Sequence, residues 1–335
     1  MREYNIAVLG ATGAVGREML KILEEYDIPV KKLLPLASAR SAGGTVPFKG
    51  REIVIEEATE QSFEGMDFVL GAVKNGMSKK FAPAIVKSGA VYIDNSSAFR
   101  MESNVPLVVP EINGEDAFKN EGIIANPNCS SIITLMAVSG IAKLSPIKSM
   151  VACTYQAVSG AGQPGLVELE EQMAAIAAGK KPEHKTFPTQ IALNVIPFIG
   201  AEQDNLYTDE EMKMQNEGRR ILHLPELKVT CTCVRVPVMR SHSIAVTVRT
   251  ERKVSIEEAK EAVRHYPGCR LIEDYEGRNY PTPLDTSDQD LVWVGRIRDD
   301  LTDENGLTLW CCGDQIRKGA ASNAVQILKL LTEKE

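Results

Sequence analysis

Cys129 closes the run Asn126-Pro127-Asn128-Cys129, between the apolar stretch GIIAN and a helical stretch beginning near Ser130. Pro127 bars the residue before it from helical dihedrals, so the chain must enter that helix abruptly. A cysteine at a helix N-terminus has free backbone N–H groups and the positive end of the helix dipole beside it, and both favour thiolate over thiol. The same N–H groups would receive an oxyanion if the sulfur attacked a carbonyl. Spacing alone serves a small core residue at the start of a buried helix equally well.

A second chemical signal lies at the start of the chain. Gly10-Ala11-Thr12-Gly13-Ala14-Val15-Gly16 follows the apolar segment Asn5–Leu9 and opens an amphipathic stretch, Val15–Tyr26. Glycines there allow a tight turn and let backbone N–H groups approach a pyrophosphate at the helix N-terminus. The spacing is GxxGxxG, a variant of the GxGxxG fingerprint, and its strand-loop-helix setting points to a dinucleotide; the other use of such a loop is a glycine turn with no ligand. The next strand, KLLPLA, runs into Ser38-Ala39-Arg40-Ser41, with no acid to hold a ribose 2′-hydroxyl. An arginine flanked by hydroxyls suits a 2′-phosphate, which favours NADP, the alternative being a solvated loop charge.

The composition narrows what surrounds these groups. A chain of 335 residues with 44% hydrophobic residues suits two domains. A net charge of −7 argues against nucleic acid as the main partner. No apolar run approaches the ~18 residues of a membrane span, and MREYNIAVLGATG enters a strand and loop at once, without the pattern of a signal peptide. The seven cysteines read as reduced thiols of a cytoplasmic protein. Cys231 with Cys233, and Cys311 with Cys312, lack C-x₂-C spacing, so no metal site is expected. In VTCTCVRVP, strand alternation puts Cys231, Cys233 and Arg235 on one face.

The elements that position these residues fall into two textures. The first third alternates short strands (NIAVLG, KLLPLA, DFVLGAV, VYIDNS) with helices, including one near Lys79–Ser88, and predicts a Rossmann-like parallel α/β sheet. From about Ser149, the long β-rich stretches SMVACTYQAV, LKVTCTCVRVPV and HSIAVTVRT predict an α+β domain around a mostly antiparallel sheet. Thr208 to Glu211 and Ser255 to Glu258 fit capping boxes. The apolar helix expected over Lys318–Leu331 should pack back on the first domain. The expected division is residues 1–130 with 316–335, and 131–315.

The stretches GATGAVGREML, SARSAG, DNSSAFRM, VPLVVPEIN, NPNCSS, TYQAVSGAG, EEMKM, VRVPVMRSHS and IRKGAASNAVQIL resemble the aspartate-semialdehyde dehydrogenase family, nearly end to end. The resemblance implies a Rossmann-like domain, a catalytic and dimerisation domain, NADP, a homodimer, and reductive dephosphorylation of L-aspartyl-4-phosphate to aspartate semialdehyde, on the way to lysine, threonine and methionine. It places Cys129 on the family nucleophile, whose thiolate displaces phosphate to give a thioester. It places His242 on the acid/base histidine, a group expected to titrate near neutrality, and Gln156 on the glutamine that orients the substrate. Arg235 falls on the arginine that grips the α-carboxylate, Glu210 on the residue that meets the ammonium group, and Lys213 and Arg100 on the phosphate-binding pair, with Asn128 nearby. Without the resemblance, Glu210 and Lys213 would read as a surface ion pair, three apart on one helix. The cofactor residues implied are Gly10, Thr12, Gly13, Ala14, Val15, Gly16, Ser38, Arg40, Ser41, Ser159, Gly160 and Gln315. Two departures stand out. The loop usually like SAGG is Gly71-Ala72-Val73-Lys74-Asn75-Gly76, and the usual Asp-Asn before RKGAA is Asp314-Gln315, whose amide would reach the nicotinamide one methylene further out. The competing readings are an N-acetyl-glutamyl-phosphate reductase-like enzyme, whose substrate has no free ammonium for Glu210, and a non-catalytic dinucleotide-binding paralogue.

Overall fold

The computed structural model describes residues 2–333. The chain forms two compact units, one from the residues up to Asn128 with those from Ala320 on, the other from Cys129 to Gly319. No helix among the described residues is long and apolar enough to cross a membrane.

The first unit contains strands β1 (Tyr4–Leu9), β2 (Val30–Ala37), β3 (Thr45–Phe48), β4 (Arg51–Val54), β5 (Glu56–Glu57), β6 (Phe68–Gly71), β7 (Val91–Asp94) and β8 (Ile123–Ala125). Six of them make a parallel sheet in the order β5-β2-β1-β6-β7-β8, while β3 and β4 form a separate hairpin. Helix α1 (Ala14–Glu25) follows β1, α2 (Asn75–Lys87) follows β6, and α3 (Pro110–Asn113) precedes β8. The order turns back at β1, so the loops after β1 and β6 flank the crevice where open α/β sheets take ligands. Gly10 sits there with φ +92°, and a side chain on it would meet the Ala72 carbonyl oxygen at 2.4 Å. Helix α2 starts at Asn75, earlier than the sequence suggests. The departing loop ends with Lys74 extended, and Asn75 is tied to Ser97 by two hydrogen bonds, so the chain turns helical at once.

The terminal helix α9 (Ser322–Glu333) belongs to this unit, with Ala324, Val325, Ile327 and Leu328 in one core with Met19, Leu20 and Leu23 of α1. An apolar stripe on a short helix needs such a partner, because packing rather than intrinsic propensity stabilises it.

The second unit opens with α4 (Cys129–Leu144) and continues through β9 (Ile147–Gln156), α5 (Gln163–Ala177), α6 (Asp209–Ile221), β10 (Lys228–Arg235), β11 (His242–Thr250), α7 (Ile256–Arg264), β12 (Cys269–Leu271), α8 (Pro283–Thr286), β13 (Val292–Asp299) and β14 (Gly306–Gly313). Its sheet has the order β10-β9-β11-β14-β13-β12. The three inner pairings are antiparallel, and the two outer ones, β10 with β9 and β12 with β13, are parallel. This register decides where the chemistry can be. Gln156 ends β9 and is paired with Arg235, which ends β10, while β11 runs the other way and begins with His242. All three side chains therefore lie at one end of the sheet. Both expected capping boxes are present. On α6, Glu211 accepts from the Thr208 N–H through one carboxylate oxygen and from the Cys233 N–H of β10 through the other, fixing the first turn of the helix against that strand.

The glycine loop yields a test of the fold. A methyl group on Gly16 would lie 2.2 Å from the Gly10 carbonyl oxygen, whereas one on Gly13 comes no closer than 3.4 Å to that atom. Gly16→Ala should destabilise the protein by roughly 1–3 kcal/mol in urea unfolding, the range for overpacking against backbone, and Gly13→Ala by much less. Equal midpoints for the two variants would show that the loop relaxes freely.

Candidate active site

Helix α4 begins at Cys129, and every residue from Ser130 to Ile141 is buried. The helix is packed on all sides over this stretch, and Cys129, at its first residue, remains half-buried.

The end of the sheet supplies its neighbours. Arg235 is 7% exposed and lies within electrostatic reach of the Cys129 sulfur and the Glu210 carboxylate. Burial lowers its affinity for the proton, and both of those groups pull the other way. Its Nη1 donates to the Ala157 carbonyl oxygen at 2.6 Å, and its guanidinium stacks over the Phe187 ring, 5.9 Å from the centroid. Gly160 passes beneath: a Cβ there would sit 2.7 Å from Arg235 Nη1 and 3.5 Å from His242 Nε2. Gly160 therefore packs against both Arg235 and His242.

Glu210 is a buried group, not half of a surface ion pair. Its Oε1 accepts from Gln156 Nε2 at 3.1 Å and its Oε2 from Lys213 Nζ at 2.9 Å. Burial opposes the charge on Lys213, but Glu210 and Asp209 together outweigh it and raise the ammonium above its ordinary range. Gln156 also lies 3.3 Å from His242 Nε2, so one amide touches both the histidine and the carboxylate.

His242 is fully buried, and the Ala157 N–H donates to its Nδ1 at 3.1 Å. An Nδ1 that accepts leaves the hydrogen of the neutral ring on Nε2, so its approach to the Gln156 amide nitrogen, itself a donor, is a close contact and not a hydrogen bond. The expectation of titration near neutrality fails here. Burial first, and then Arg235, push the imidazolium down to about 3, against the weaker pull of Glu210 and the Ser241 carbonyl.

The other expected residues are placed as follows. In the first unit Arg100 is buried, its Nε and Nη2 donating to the carbonyl oxygens of Asn126 and Asn95 at 2.9 and 2.8 Å. Asn128 is buried just before the cysteine. Thr12, Gly13, Ala14 and Val15 carry the chain from the Gly10 turn into α1, while Ser38, Arg40 and Ser41 form a turn closed by Ser41 N–H to Ser38 O at 2.8 Å, with Ser38 and Arg40 exposed. In the second unit Gln315 is tied through both atoms of its amide. Its Oε1 accepts from the Ser241 N–H at 2.7 Å and its Nε2 donates to the Ser159 hydroxyl. It thereby braces Ser241, held at φ +72° immediately before His242. Ala157 and Phe187 are site residues that sequence reasoning misses. The first acts through its backbone, and the second comes from a loop whose composition gives no signal.

The first unit carries the glycine loop of a dinucleotide-binding sheet, and the second holds the half-buried Cys129 with the buried His242 and Arg235, features that mark a dehydrogenase. Family models for the semialdehyde dehydrogenase NAD binding domain and the semialdehyde dehydrogenase dimerisation domain match residues 5–120 and 138–318. The chain is 47% identical over 329 residues to an aspartate-semialdehyde dehydrogenase of Synechocystis sp., covering 98% of this chain and 97% of that one. It is likewise 47% identical, over 334 residues and 98% of each chain, to one from Aquifex aeolicus. The structure of aspartate semialdehyde dehydrogenase II from Vibrio cholerae, solved in complex with ASA, superposes with a TM-score of 0.97 at 41% identity, covering 99% of both chains. The chain belongs to the aspartate-semialdehyde dehydrogenase family.

The depressed histidine has a consequence for stability. Its folded-state value, about 3, lies below the ordinary 6.5, so the unfolded chain takes the proton first. The contribution is fully present above about pH 6.5 and is lost as pH falls toward 3, at up to ~1.4 kcal/mol per pH unit. Urea unfolding should show the wild type losing roughly 2 kcal/mol more than His242→Gln between pH 7 and pH 5. Parallel losses in the two proteins would mean that His242 titrates normally.

Proposed function

We propose that the protein catalyses NADP-dependent reductive dephosphorylation of L-aspartyl-4-phosphate to L-aspartate 4-semialdehyde, through a thioester on Cys129, in the biosynthesis of lysine, threonine and methionine. The observation that carries this reading is the buried cluster of Gln156, Glu210, Arg235 and His242, with Cys129 within electrostatic reach of Arg235. Arg235 takes the substrate α-carboxylate, Glu210 the ammonium group, and Lys213 and Arg100 the phosphate. The Cys129 thiolate attacks the acyl carbon and phosphate leaves. When bound, NADPH supplies a hydride to the acyl carbon. Expulsion of the sulfur then regenerates the thiolate and releases the aldehyde. His242, neutral in its buried setting, donates through Nε2–H to the carbonyl oxygen as negative charge grows there.

The residues present fit the cofactor. Gly10 and Gly16 approach so closely that neither tolerates a side chain, which leaves the backbone bare where a pyrophosphate would rest. The exposed Arg40, between Ser38 and Ser41, fits a 2′-phosphate. A homodimer is favoured by the match of residues 138–318 to a dimerisation domain and by exposed apolar groups, Val151 and Tyr155, on the second sheet. Glu210 argues against an N-acetylated substrate, which would bring no ammonium of its own to the carboxylate oxygen that accepts from Gln156.

Two measurements test the reading. Cys129→Ala should abolish phosphate- and semialdehyde-dependent NADP reduction, and mass spectrometry of wild type turning over substrate should find the acyl group on Cys129. Substantial activity in that variant would exclude the thioester route. Wild type should prefer NADP over NAD by roughly ten- to a thousandfold in kcat/KM, at ~1.4 kcal/mol per decade. Arg40→Ala should remove most of that preference by weakening NADP alone. An unchanged ratio would move 2′-phosphate recognition elsewhere.

A further inference from the structure

The segment Arg317–Ala321 is π-helical, a wider turn than the α-helix and one that often marks functional sites. Nothing in the mechanism above uses it. Within it, an ideal Cβ on Gly319 would fall 2.9 Å from Cys129 Cβ, 3.3 Å from Cys129 Cα and 3.4 Å from Gln315 Cβ. Gly319 is not among the glycines of positive φ, so conformation does not demand a glycine here; space does. The atoms it faces are backbone and Cβ, which cannot swing aside as the tip of a long side chain could.

The turn is anchored on its other side. The Gly319 N–H donates to the Asp314 carbonyl at 2.9 Å, five residues back. The Asp314 carboxylate, fully buried, accepts from the N–H groups of Ile316 and Arg317 through one oxygen, and from Arg240 Nε and the Asp288 N–H through the other. Arg317 in turn grips the Asp290 carboxylate with two hydrogen bonds of 2.9 and 3.1 Å. A turn held this way does not yield, so any group added at Gly319 must displace Cys129.

We propose that Gly319 is a positioning residue for the nucleophile: its bare Cα is the wall that fixes the Cα–Cβ bond of Cys129, and with it the direction of the sulfur toward Arg235 and the first N–H groups of α4. The proposal rests on Cys129 being the nucleophile and on no assumption about the substrate. Gly319→Ala should lower kcat by roughly 10- to 100-fold, the scale for misplacing a reacting group by a fraction of an ångström to one ångström, with the KM for NADP unchanged. The decisive readout needs neither substrate nor cofactor. Iodoacetamide alkylation of Cys129, followed by mass spectrometry across a pH series, should reach half its maximal rate at a higher pH in Gly319→Ala than in wild type, because a displaced sulfur loses thiolate-stabilising donors. If that variant does not fold, Asp314→Asn, which weakens the anchor without adding volume, should move the alkylation profile in the same direction by less. A folded Gly319→Ala protein with wild-type alkylation profile and kcat, even one of lower melting temperature, would reduce Gly319 to a packing role and overturn the proposal. An unmoved profile in Asp314→Asn, where Gly319→Ala cannot be measured, would do the same. A shifted alkylation profile without activity on aspartate semialdehyde would leave the positioning role standing and count against the substrate assignment alone.

Discussion

Ala157 uses both of its backbone polar groups on side chains of the site. Its N–H donates to His242 Nδ1 and its carbonyl accepts from Arg235 Nη1. Backbone groups at the end of a sheet are positioned by the ladder behind them, so the ring and the guanidinium take their places from strand register rather than from one another. Replacing the Ala157 side chain leaves both ties in place. Moving the end of β9 would disturb histidine tautomer and arginine orientation together, and Gln156, the residue before, would carry its contacts to Glu210 and His242 along.

Such an arrangement is costly in isolation. Buried charges lose several kcal/mol of hydration each, and mutual attraction offsets this only when partners are close and hydrogen-bonded. Here Glu210 lies between Lys213 and Gln156, and within electrostatic reach of Arg235. Arg235 adds to burial in holding the imidazole neutral, while the Cys129 sulfur and Arg235 attract one another. One guanidinium thus acts on both groups, and on the proposed reading a neutral ring beside a thiolate is the pairing that thioester chemistry would use.

Some of this was legible in the sequence because it is local. The glycine loop, the two capping boxes and the strand alternation of VTCTCVRVP all depend on spacings of a few residues, and the structure places each of them. The pairing of β9 with β10 and β11 is not local. Nothing near Ala157 in the chain signals that its amide meets a histidine 85 residues later. Gln315 shows the same limit. Its bond from the Ser241 N–H depends on the positive φ of Ser241, which is visible only in three dimensions. The burial of Glu210 is a further case. On sequence grounds it is an ordinary charge three residues from a lysine, and only the attachment of α6 to β10 through Glu211 turns it inward.

That inward turn bears on how substrates are told apart. A pocket that rejects a molecule for one added methylene discriminates weakly, by about 1–3 kcal/mol, whereas a site with buried polar groups discriminates strongly against a ligand that leaves them without partners. Glu210, 9% exposed, is such a group, and Gln156 and Lys213 satisfy its oxygens. On the proposed reading, a substrate ammonium would replace Lys213 charge for charge, or the neutral Gln156 amide with a charged donor. An acetylated nitrogen would bring only a neutral amide, with an acyl group to accommodate as well. Discrimination would then follow from displacing contacts the protein already has, so the same carboxylate would order the surrounding side chains and set the cost of admitting the other substrate.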